Sequence, residues 1–231
     1  EEGNLPVRGG YAKRGSMGNA PEGKQMEQKK GYQLALICFT STGARLLRQL
    51  IKELNKDGFR SQGYIKISGT AAGNHFETGI GRQADDTEIQ LKQVEEPVAE
   101  WTGKQFKQAK GLIFIGAAGI AVRASARWIQ NKFQDPAVVV VDEKGQFAIP
   151  ILSGHGGGAN ALAQQISGYI HAIPVITTAT DVQGKFAVDL FAKEKELLLS
   201  DRELSKKISA DILEGRPVGF FSDFPMAGTI P

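Results

Sequence analysis

The segment GLIFIGAAGIAVR, residues 111–123, decides the fold class of this chain. Its apolar run at 112–115 predicts a buried strand, and Gly116 and Gly119 predict a tight turn after it. The apolar spacing beyond the turn predicts a helix that continues to about residue 132. A strand, a glycine turn and a helix in direct succession are typical of an α/β protein with a parallel sheet.

The same alternation of strand and helix recurs along the chain. The apolar run YQLALICFT is followed by a turn at 40–43 and by an amphipathic helix that Gly58 ends. Further segments with the patterns of strands or helices are YIKIS, HFETG, VAEWTGKQFKQAK, VVVV, FAIP, ALAQQI, IPVITTATD, GKFAVDLFAKEKEL, DRELSKKISADILEG and RPVGFFSDFP. We therefore predict a Rossmann-like three-layer sandwich, in which helices cover both faces of a mostly parallel sheet.

Composition divides the chain into three parts. The first 32 residues are rich in glycine and poor in aliphatic side chains, so we predict a disordered tail there. Residues 33–185 are predicted to form the α/β domain, and residues 186–231 the start of a further region. Of the net charge of +3, the tail carries +2. The body is nearly neutral and has no electrostatic footprint for nucleic acid.

Cysteine content and hydropathy narrow the class of protein further. The single cysteine, Cys38, excludes an internal disulfide framework and a cysteine-rich metal site. No apolar run approaches the ~20 residues that span a bilayer, and the N-terminus lacks the apolar stretch of a secretory signal. We expect a cytoplasmic protein with neither a membrane nor a nucleic-acid partner.

Four polar or glycine-rich loops follow predicted strands. They are TSTG at 40–43, GAAGIAVR at 116–123, SGHGGGAN at 153–160 and TTATD at 177–181. Ligands of open α/β sheets bind at the carboxyl ends of the strands. We therefore expect all four loops to converge on one cleft that holds an anionic ligand.

The loop SGHGGGAN has the most specific chemistry of the four. Three glycines before a helix present backbone N–H groups to an anion, and His155 transfers protons near neutral pH. Ser153 and Asn160 add neutral hydrogen-bonding groups. The alternative is a tight turn that needs glycine for positive φ, with His155 bonded only to backbone.

The other loops also admit two interpretations. Arg123 either clamps a carboxylate in a bidentate pair or forms a salt bridge at the surface or between helices. Thr180 or Asp181 either contributes to a site or caps the next helix. The two glycines of GAAGIAVR do not satisfy G-x-G-x-x-G, which disfavours a dinucleotide cofactor. Neither the spacing of a metal site nor a G-x-S-x-G elbow occurs.

Three motifs in a fixed order carry a resemblance to a known family. They are GIAVR at 119–123, DPAVVVVD at 135–142 with LSGHGGGAN at 152–160, and PVITTATD at 174–181. Together they closely resemble the N-terminal region of the CbiG family of cobalamin biosynthesis, the cobalt-precorrin-5A hydrolases. One departure is Arg127, which stands where the family commonly has proline.

The resemblance implies an activity and a substrate. The family opens the δ-lactone of cobalt-precorrin-5A and releases acetaldehyde, which gives cobalt-precorrin-5B in anaerobic cobalamin biosynthesis. Cobalt arrives with the substrate, so we expect no cofactor and no protein metal site. We predict His155 and Asp181 as catalytic residues. The predicted substrate-binding residues are Thr42, Gly43, Gly119, Arg123, Ser153, Gly156, Gly157, Gly158, Asn160, Thr177 and Thr178.

Two alternatives to a self-sufficient hydrolase stay open. Family members usually continue into a C-terminal domain with a G-C-R-type motif, which this sequence lacks. The chain would then be a non-catalytic tetrapyrrole-binding module that needs a C-terminal domain or a second copy as partner. A phosphosugar- or nucleotide-binding α/β domain is the third reading, because a glycine loop also suits phosphate.

Overall fold

The computed structural model describes residues 33–67, 89–131, 134–194 and 197–223. Its strands are β1 (Leu34–Cys38), β2 (Ser61–Ile65), β3 (Lys92–Gln93), β4 (Gly111–Ile115), β5 (Ala137–Val141), β6 (Phe147–Leu152) and β7 (Ile173–Pro174). Its α-helices are α1 (Ser41–Lys56), α2 (Val98–Gln108), α3 (Ala118–Ser125), α4 (Ala159–Ile170), α5 (Ala179–Val182), α6 (Val188–Glu194) and α7 (Arg202–Leu213).

The strands form one sheet in the order β3-β2-β1-β4-β5-β6-β7. Every neighbouring pair from β3 to β5 is parallel. The pair β5 and β6 is antiparallel, whereas β6 and β7 are parallel to each other. The two strands at one side of the sheet therefore run opposite to the other five.

The reversal after β5 follows from a tight polar turn. The Asp142 carboxylate accepts hydrogen bonds from the backbone N–H groups of Lys144, Gln146 and Phe147, at 2.9, 2.7 and 2.7 Å. Gly145 takes a φ of +70°, which glycine adopts without steric cost. A turn this short joins only antiparallel neighbours, because a parallel neighbour needs a long crossover.

Helices cover both faces of the sheet, as predicted. On one face, Leu47, Leu50 and Leu54 of α1 pack in a common core with Leu162 and Ile166 of α4. On the other face, α2 and α3 contribute Trp101, Ala121 and Ala124 to a second core. Strand side chains alternate between these two cores, so the predicted three-layer α/β architecture with a mostly parallel sheet is confirmed.

Two of the predicted elements are wrong. The helix predicted to reach residue 132 ends at Ser125, and only a 3-10 turn continues it to Trp128. Tertiary contacts end it, because the Trp128 indole donates to the Ala99 carbonyl at 2.7 Å and packs on Gly103. The strand predicted in RPVGFFSDFP is not formed within residues 216–223.

Three further predictions are confirmed only in part or lie outside what the structure tests. The segment IPVITTATD forms a strand only at Ile173 and Pro174, and the Val175 N–H donates one further hydrogen bond to the Ala148 carbonyl. The tail at 1–32 and the segment HFETG lie outside the described residues. The domain boundary at residue 185 stays a prediction.

The buried Cys38 thiol gives a test of the core. Burial raises the pKa of this thiol to about 12, so it stays protonated at pH 8, and the thiolate is the reactive form. We expect the native chain to resist a chromogenic thiol reagent at pH 8 and to react stoichiometrically in denaturant. The Cys38→Ala chain is the blank, and rapid labelling of the native chain would contradict the buried placement.

Candidate functional site

The glycine loop, residues 153–158, begins with a strained backbone. Ser153 follows β6 with a φ of +57°, a left-handed conformation that is uncommon for residues other than glycine. Its Oγ donates to the Asp135 carbonyl at 3.1 Å, which fixes the start of the loop. Strained residues of this kind cluster at functional sites, where the surrounding structure holds them.

Backbone hydrogen bonds close the loop on itself. The N–H groups of Gly158, Ala159 and Asn160 donate to the carbonyls of His155, Ser153 and Gly154, at 3.2, 3.1 and 3.0 Å. The Gly158 N–H is thus already bonded, so the prediction that all three glycines present free N–H groups to an anion is wrong for Gly158. Anion binding by Gly156 and Gly157 stays a prediction.

Two glycines have a steric role in this turn. A Cβ at Gly157 would lie 2.2 Å from the Ser153 Cβ, closer than any side chain tolerates. Gly158 takes a φ of +91° immediately before α4. The reading of the loop as a tight turn that needs glycine is therefore correct for its backbone, and the turn also decides where His155 lies.

The His155 imidazole faces the Asp181 carboxylate. The distance from His155 Nδ1 to Asp181 Oδ2 is 3.2 Å, and the two side chains are only 13% and 27% exposed. This pair lies within ion-pair distance, but its alignment falls outside hydrogen-bond geometry. Among the described residues, neither imidazole nitrogen has a hydrogen-bond partner, so the alternative of a purely backbone-bonded His155 is not observed there.

Asn160 fixes the carboxylate of this pair. Its Nδ2 donates to Asp181 Oδ2 at 2.7 Å and to Thr178 Oγ1 at 2.8 Å, and the residue is buried. Gly154 packs against the Asn160 side chain, because a Cβ there would lie 2.9 Å from Asn160 Oδ1. The structure thus brings His155, Asn160, Thr178 and Asp181 together, and we call these four residues the imidazole–carboxylate cluster.

The capping alternative for the loop TTATD is not what the structure shows. Thr178 is the residue before α5, and its side chain makes no capping hydrogen bond. Thr180 and Asp181, the two predicted caps, both lie inside α5. Thr177 is exposed beside the cluster, and its predicted contact with substrate stays a prediction.

The predicted convergence of all four loops on one cleft is wrong. Because β6 is antiparallel to β5, Leu152 at its end pairs with Val138 near the start of β5. The glycine loop and the imidazole–carboxylate cluster therefore lie where β1, β4 and β5 begin, which we call the amino edge. Residues 40–43 and 116–119 follow the ends of β1 and β4, at the opposite carboxyl edge.

The residues at the carboxyl edge are engaged with one another. Thr40 Oγ1 accepts the Gly43 N–H at 3.0 Å and caps α1, and it also donates to the Glu143 carboxylate. Gly43 is buried against β1. A Cβ at this position would lie only 3.2 Å from the Cys38 Cβ, so the helix packs closely on the strand there. Thr42 is exposed in the first turn of α1.

Arg123 belongs to the carboxyl edge as well. It is exposed, and its Nη1 folds back to 3.6 Å from the position a Cβ would take on Gly119 at the start of α3. No carboxylate in the described part of the chain pairs with it. Arg127 pairs with Glu100 at 3.1 Å and lies over the Trp128 ring. Carboxylate clamping by Arg123 stays a prediction, but not in one pocket with His155.

A cavity at the amino edge was missed by the sequence reasoning. It has a volume of about 250 Å³, and its walls include Gly157 and Gly158 of the glycine loop together with Lys110 and Gln165. Lys110 precedes β4 and Gln165 lies in α4, so nothing local in the sequence links them. Only the strand order and the direction of β6 place them side by side.

Neither a group of metal ligands nor a membrane-spanning helix occurs in the described part of the chain. In residues 33–67, 89–131, 134–194 and 197–223, no three His, Cys, Asp or Glu side chains are grouped to hold a metal ion. No helix in those same ranges is both long and apolar enough to cross a bilayer.

Comparison with known proteins identifies the region that carries the cluster. Residues 100–181 match the family model described as Cobalamin synthesis G N-terminal. Over these residues the chain is similar to the N-terminal region of the cobalamin synthesis G family. The match includes the glycine loop and ends at Asp181, whereas Thr42 and Gly43 lie outside it. The resemblance seen in the three sequence motifs is thereby confirmed.

Curated relatives extend the similarity beyond the matched region. The chain is 37% identical over 204 residues to the cobalt-precorrin-5A hydrolase of Salmonella typhimurium, which covers 86% of this chain and 50% of that protein. It is 33% identical over 192 residues to the enzyme of the same name from Priestia megaterium, which covers 83% and 47%. The chain spans about half the length of these relatives.

The chain also matches solved structures. One of them is described as a cobalamin biosynthesis protein G homologue from Sulfolobus solfataricus, with a TM-score of 0.46 and 18% identity, over 85% of this chain and 53% of that one.

The glycine loop gives a matched pair of glycine substitutions. Gly157→Ala is expected to lower the free energy of unfolding by about 1–3 kcal/mol, because its methyl group overlaps Ser153. Gly168 lies in α4 with open space where its Cβ would be, and Gly168→Ala is expected to raise the free energy of unfolding by about 0.4–1 kcal/mol. Urea unfolding monitored by circular dichroism measures both. Equal effects of the two substitutions would contradict the closed loop.

Proposed function

We propose that this chain carries the hydrolytic site of a cobalt-precorrin-5A hydrolase and that the imidazole–carboxylate cluster is that site. The observation that carries the proposal is the approach of His155 Nδ1 to Asp181 Oδ2, at 3.2 Å, with Asn160 holding the same carboxylate oxygen. The names of the two similar hydrolases support the choice of substrate.

The pair suits general-base catalysis. A carboxylate facing Nδ1 favours the tautomer that carries its proton there, which leaves the Nε2 lone pair free to accept a proton. His155 would take a proton from water as that water adds to the lactone carbonyl. The acyl C–O bond then breaks, and His155 returns the proton to the departing oxygen. The products of this step are a carboxyl group and a hydroxyl group.

Release of the two-carbon fragment would follow ring opening. The bond between the macrocycle and the carbon bearing the new hydroxyl group would break with its electron pair left on the macrocycle, which takes up the proton lost from the hydroxyl group, and that carbon would leave as acetaldehyde. A base near the hydroxyl group assists this step, because loss of the hydroxyl proton forms the aldehyde carbonyl. His155 is placed to serve both steps if the substrate stays bound between them.

Burial of the imidazole sets a condition on this mechanism. Both nitrogens of His155 are shielded from solvent in addition to lacking partners among the described residues. An unmade hydrogen bond of this kind costs about 1–3 kcal/mol, which a bound water or substrate group would recover. Access to Nε2 therefore requires a shift of the glycine loop when the substrate binds.

The second candidate function is a non-catalytic tetrapyrrole-binding module. The observation that favours it is length, since the chain spans about half of each curated hydrolase. In that case a C-terminal domain or a second copy of the chain would complete the catalytic site. The substrate and the location of the binding surface are the same in both proposals, so turnover separates them.

Acetaldehyde release from cobalt-precorrin-5A tests the hydrolase. We expect the 231-residue chain to release acetaldehyde, measured by coupled reduction with alcohol dehydrogenase and NADH. His155→Gln is expected to slow release by about 10²–10⁴-fold, and Asp181→Asn to slow it in the same direction.

His171→Asn is the matched control for this test. His171 is exposed at the end of α4 with a φ of +56°, a conformation that asparagine tolerates. We expect this variant to keep the full rate. Undiminished turnover by His155→Gln would refute the general-base role. Binding of cobalt-precorrin-5A with no release by the unmodified chain would favour the binding module.

A further inference from the structure

The amino-edge cavity is formed by the starts of three strands and the first turns of α4. Leu34, Gly111 and Ala137 are register partners at the beginnings of β1, β4 and β5. The side chains of Leu34 and Leu162 pack over Gly111 at the centre of this row, where a Cβ would lie 2.9 Å from Leu34 Cδ2 and 3.4 Å from Leu162 Cδ2. The floor of the cavity is therefore apolar.

The rim of the cavity carries one unpaired cation. Lys110 is exposed, and within the described ranges no carboxylate pairs with its ammonium group. Its backbone is fixed on both sides, because its N–H donates to the Gln33 carbonyl and its carbonyl accepts from the Ala137 N–H. The lysine thus projects from a rigid position between two strands.

The opposite side of the rim is ordered by a hydrogen-bond network. Gln165 Nε2 donates to Asp57 Oδ2 at 3.2 Å and to Tyr169 Oη at 2.7 Å, and Tyr169 also donates to Asp57. Burial, followed by the hydrogen bond to Asp57, raises the pKa of Tyr169 to about 12, so its hydroxyl stays a donor. The Gln165 amide and the Tyr169 hydroxyl both donate to the Asp57 carboxylate and partly offset its negative charge.

We propose that the amino-edge cavity binds one carboxylate side chain of the macrocyclic substrate, with Lys110 as the partner of that carboxylate. This inference rests on the proposed function, because the substrate is a macrocycle ringed with acetate and propionate groups. A volume of about 250 Å³ is below the roughly 300–1,000 Å³ of pockets that enclose a whole small molecule. The cavity therefore suits a side chain and not the ring.

The position of the cavity gives this contact a function. Gly157 and Gly158 form part of its wall, and His155 belongs to the same loop. A side chain held there would place the adjoining edge of the macrocycle beside the imidazole. Fixing a substrate in this way contributes to rate by orientation. Lys110 would be a binding residue that sets specificity for acidic side chains.

Binding of a stable corrinoid tests the inference without turnover. The probes are dicyanocobyrinic acid, which carries free acetate and propionate groups, and its heptamethyl ester, which has none. Absorbance or tryptophan-fluorescence titration of the full chain gives Kd for each. We expect Lys110→Gln to weaken binding of the acid by about tenfold and to leave binding of the ester unchanged.

Two matched pairs separate the cavity from general electrostatics and from damage to the fold. Lys144→Gln removes the same charge at the carboxyl edge and is expected to leave both Kd values unchanged. Ala161→Trp, on the exposed part of the cavity wall, is expected to weaken both probes by steric filling. Ala210→Trp, exposed on α7, controls for the added indole. Thermal unfolding shows that each variant is folded.

The outcomes also distinguish this inference from the proposed hydrolase. Equal losses for Lys110→Gln and Lys144→Gln, or no loss for Lys110→Gln, would overturn it. Failure of the unmodified chain to bind dicyanocobyrinic acid would also overturn the inference. Weaker binding of the acid by Arg123→Ala alone would overturn it as well, because the binding surface would then lie at the carboxyl edge. Lys110-dependent binding in a chain that releases no acetaldehyde would support the cavity and reject the hydrolase.

Discussion

The turn at Asp142 is the constraint on which the candidate site depends. One carboxylate accepts three backbone N–H groups and forces β6 to run against β5. With a parallel β6, the glycine loop would lie beside the ends of β1 and β4. The reversal carries it to the amino edge instead, where the first residues of three strands and the start of α4 already leave a cavity. Site and cavity therefore have a common topological origin.

Precision at the imidazole–carboxylate cluster comes from a chain of local requirements. Ser153 adopts a left-handed backbone conformation and packs directly on Gly157, where no side chain would fit. This closed loop fixes His155, while Asn160 holds Asp181 from the first turn of α4. Each group is positioned by backbone geometry or by a buried amide. Such positioning keeps the reactive pair together, and the substrate must shift the glycine loop to reach Nε2 of His155.

Hydrophobic periodicity was sufficient for the architecture, because apolar runs and helical spacing record which surfaces are buried. The grouping of His155, Asn160, Thr178 and Asp181 was also within reach, since the loops at 153–160 and 177–181 both follow strands that run in the same direction. The edge of the sheet on which these residues lie could not be predicted, because strand direction depends on pairings between distant segments. The end of α3 was missed for a similar reason, as Trp128 is held by α2. No local sequence pattern pointed to Lys110 as a binding residue.

The groups that line each edge explain why an anionic side chain of a macrocycle would use the amino edge in a fold of this kind. Open α/β sheets usually bind ligands at the carboxyl edge, where the strand order reverses, here between β1 and β4. In this chain the start of α1 is capped by Thr40, which in turn donates to Glu143, so a carboxylate already faces that helix terminus. Phe39 lies against Gly116 in the same crevice. A substrate carboxylate would meet like charge and an aromatic side chain at that helix terminus, although the exposed Arg123 lies on the same edge. At the amino edge the ammonium group of Lys110 stands on the rim of a cavity with an apolar floor, and Gln165 and Tyr169 donate hydrogen bonds to the neighbouring Asp57 carboxylate.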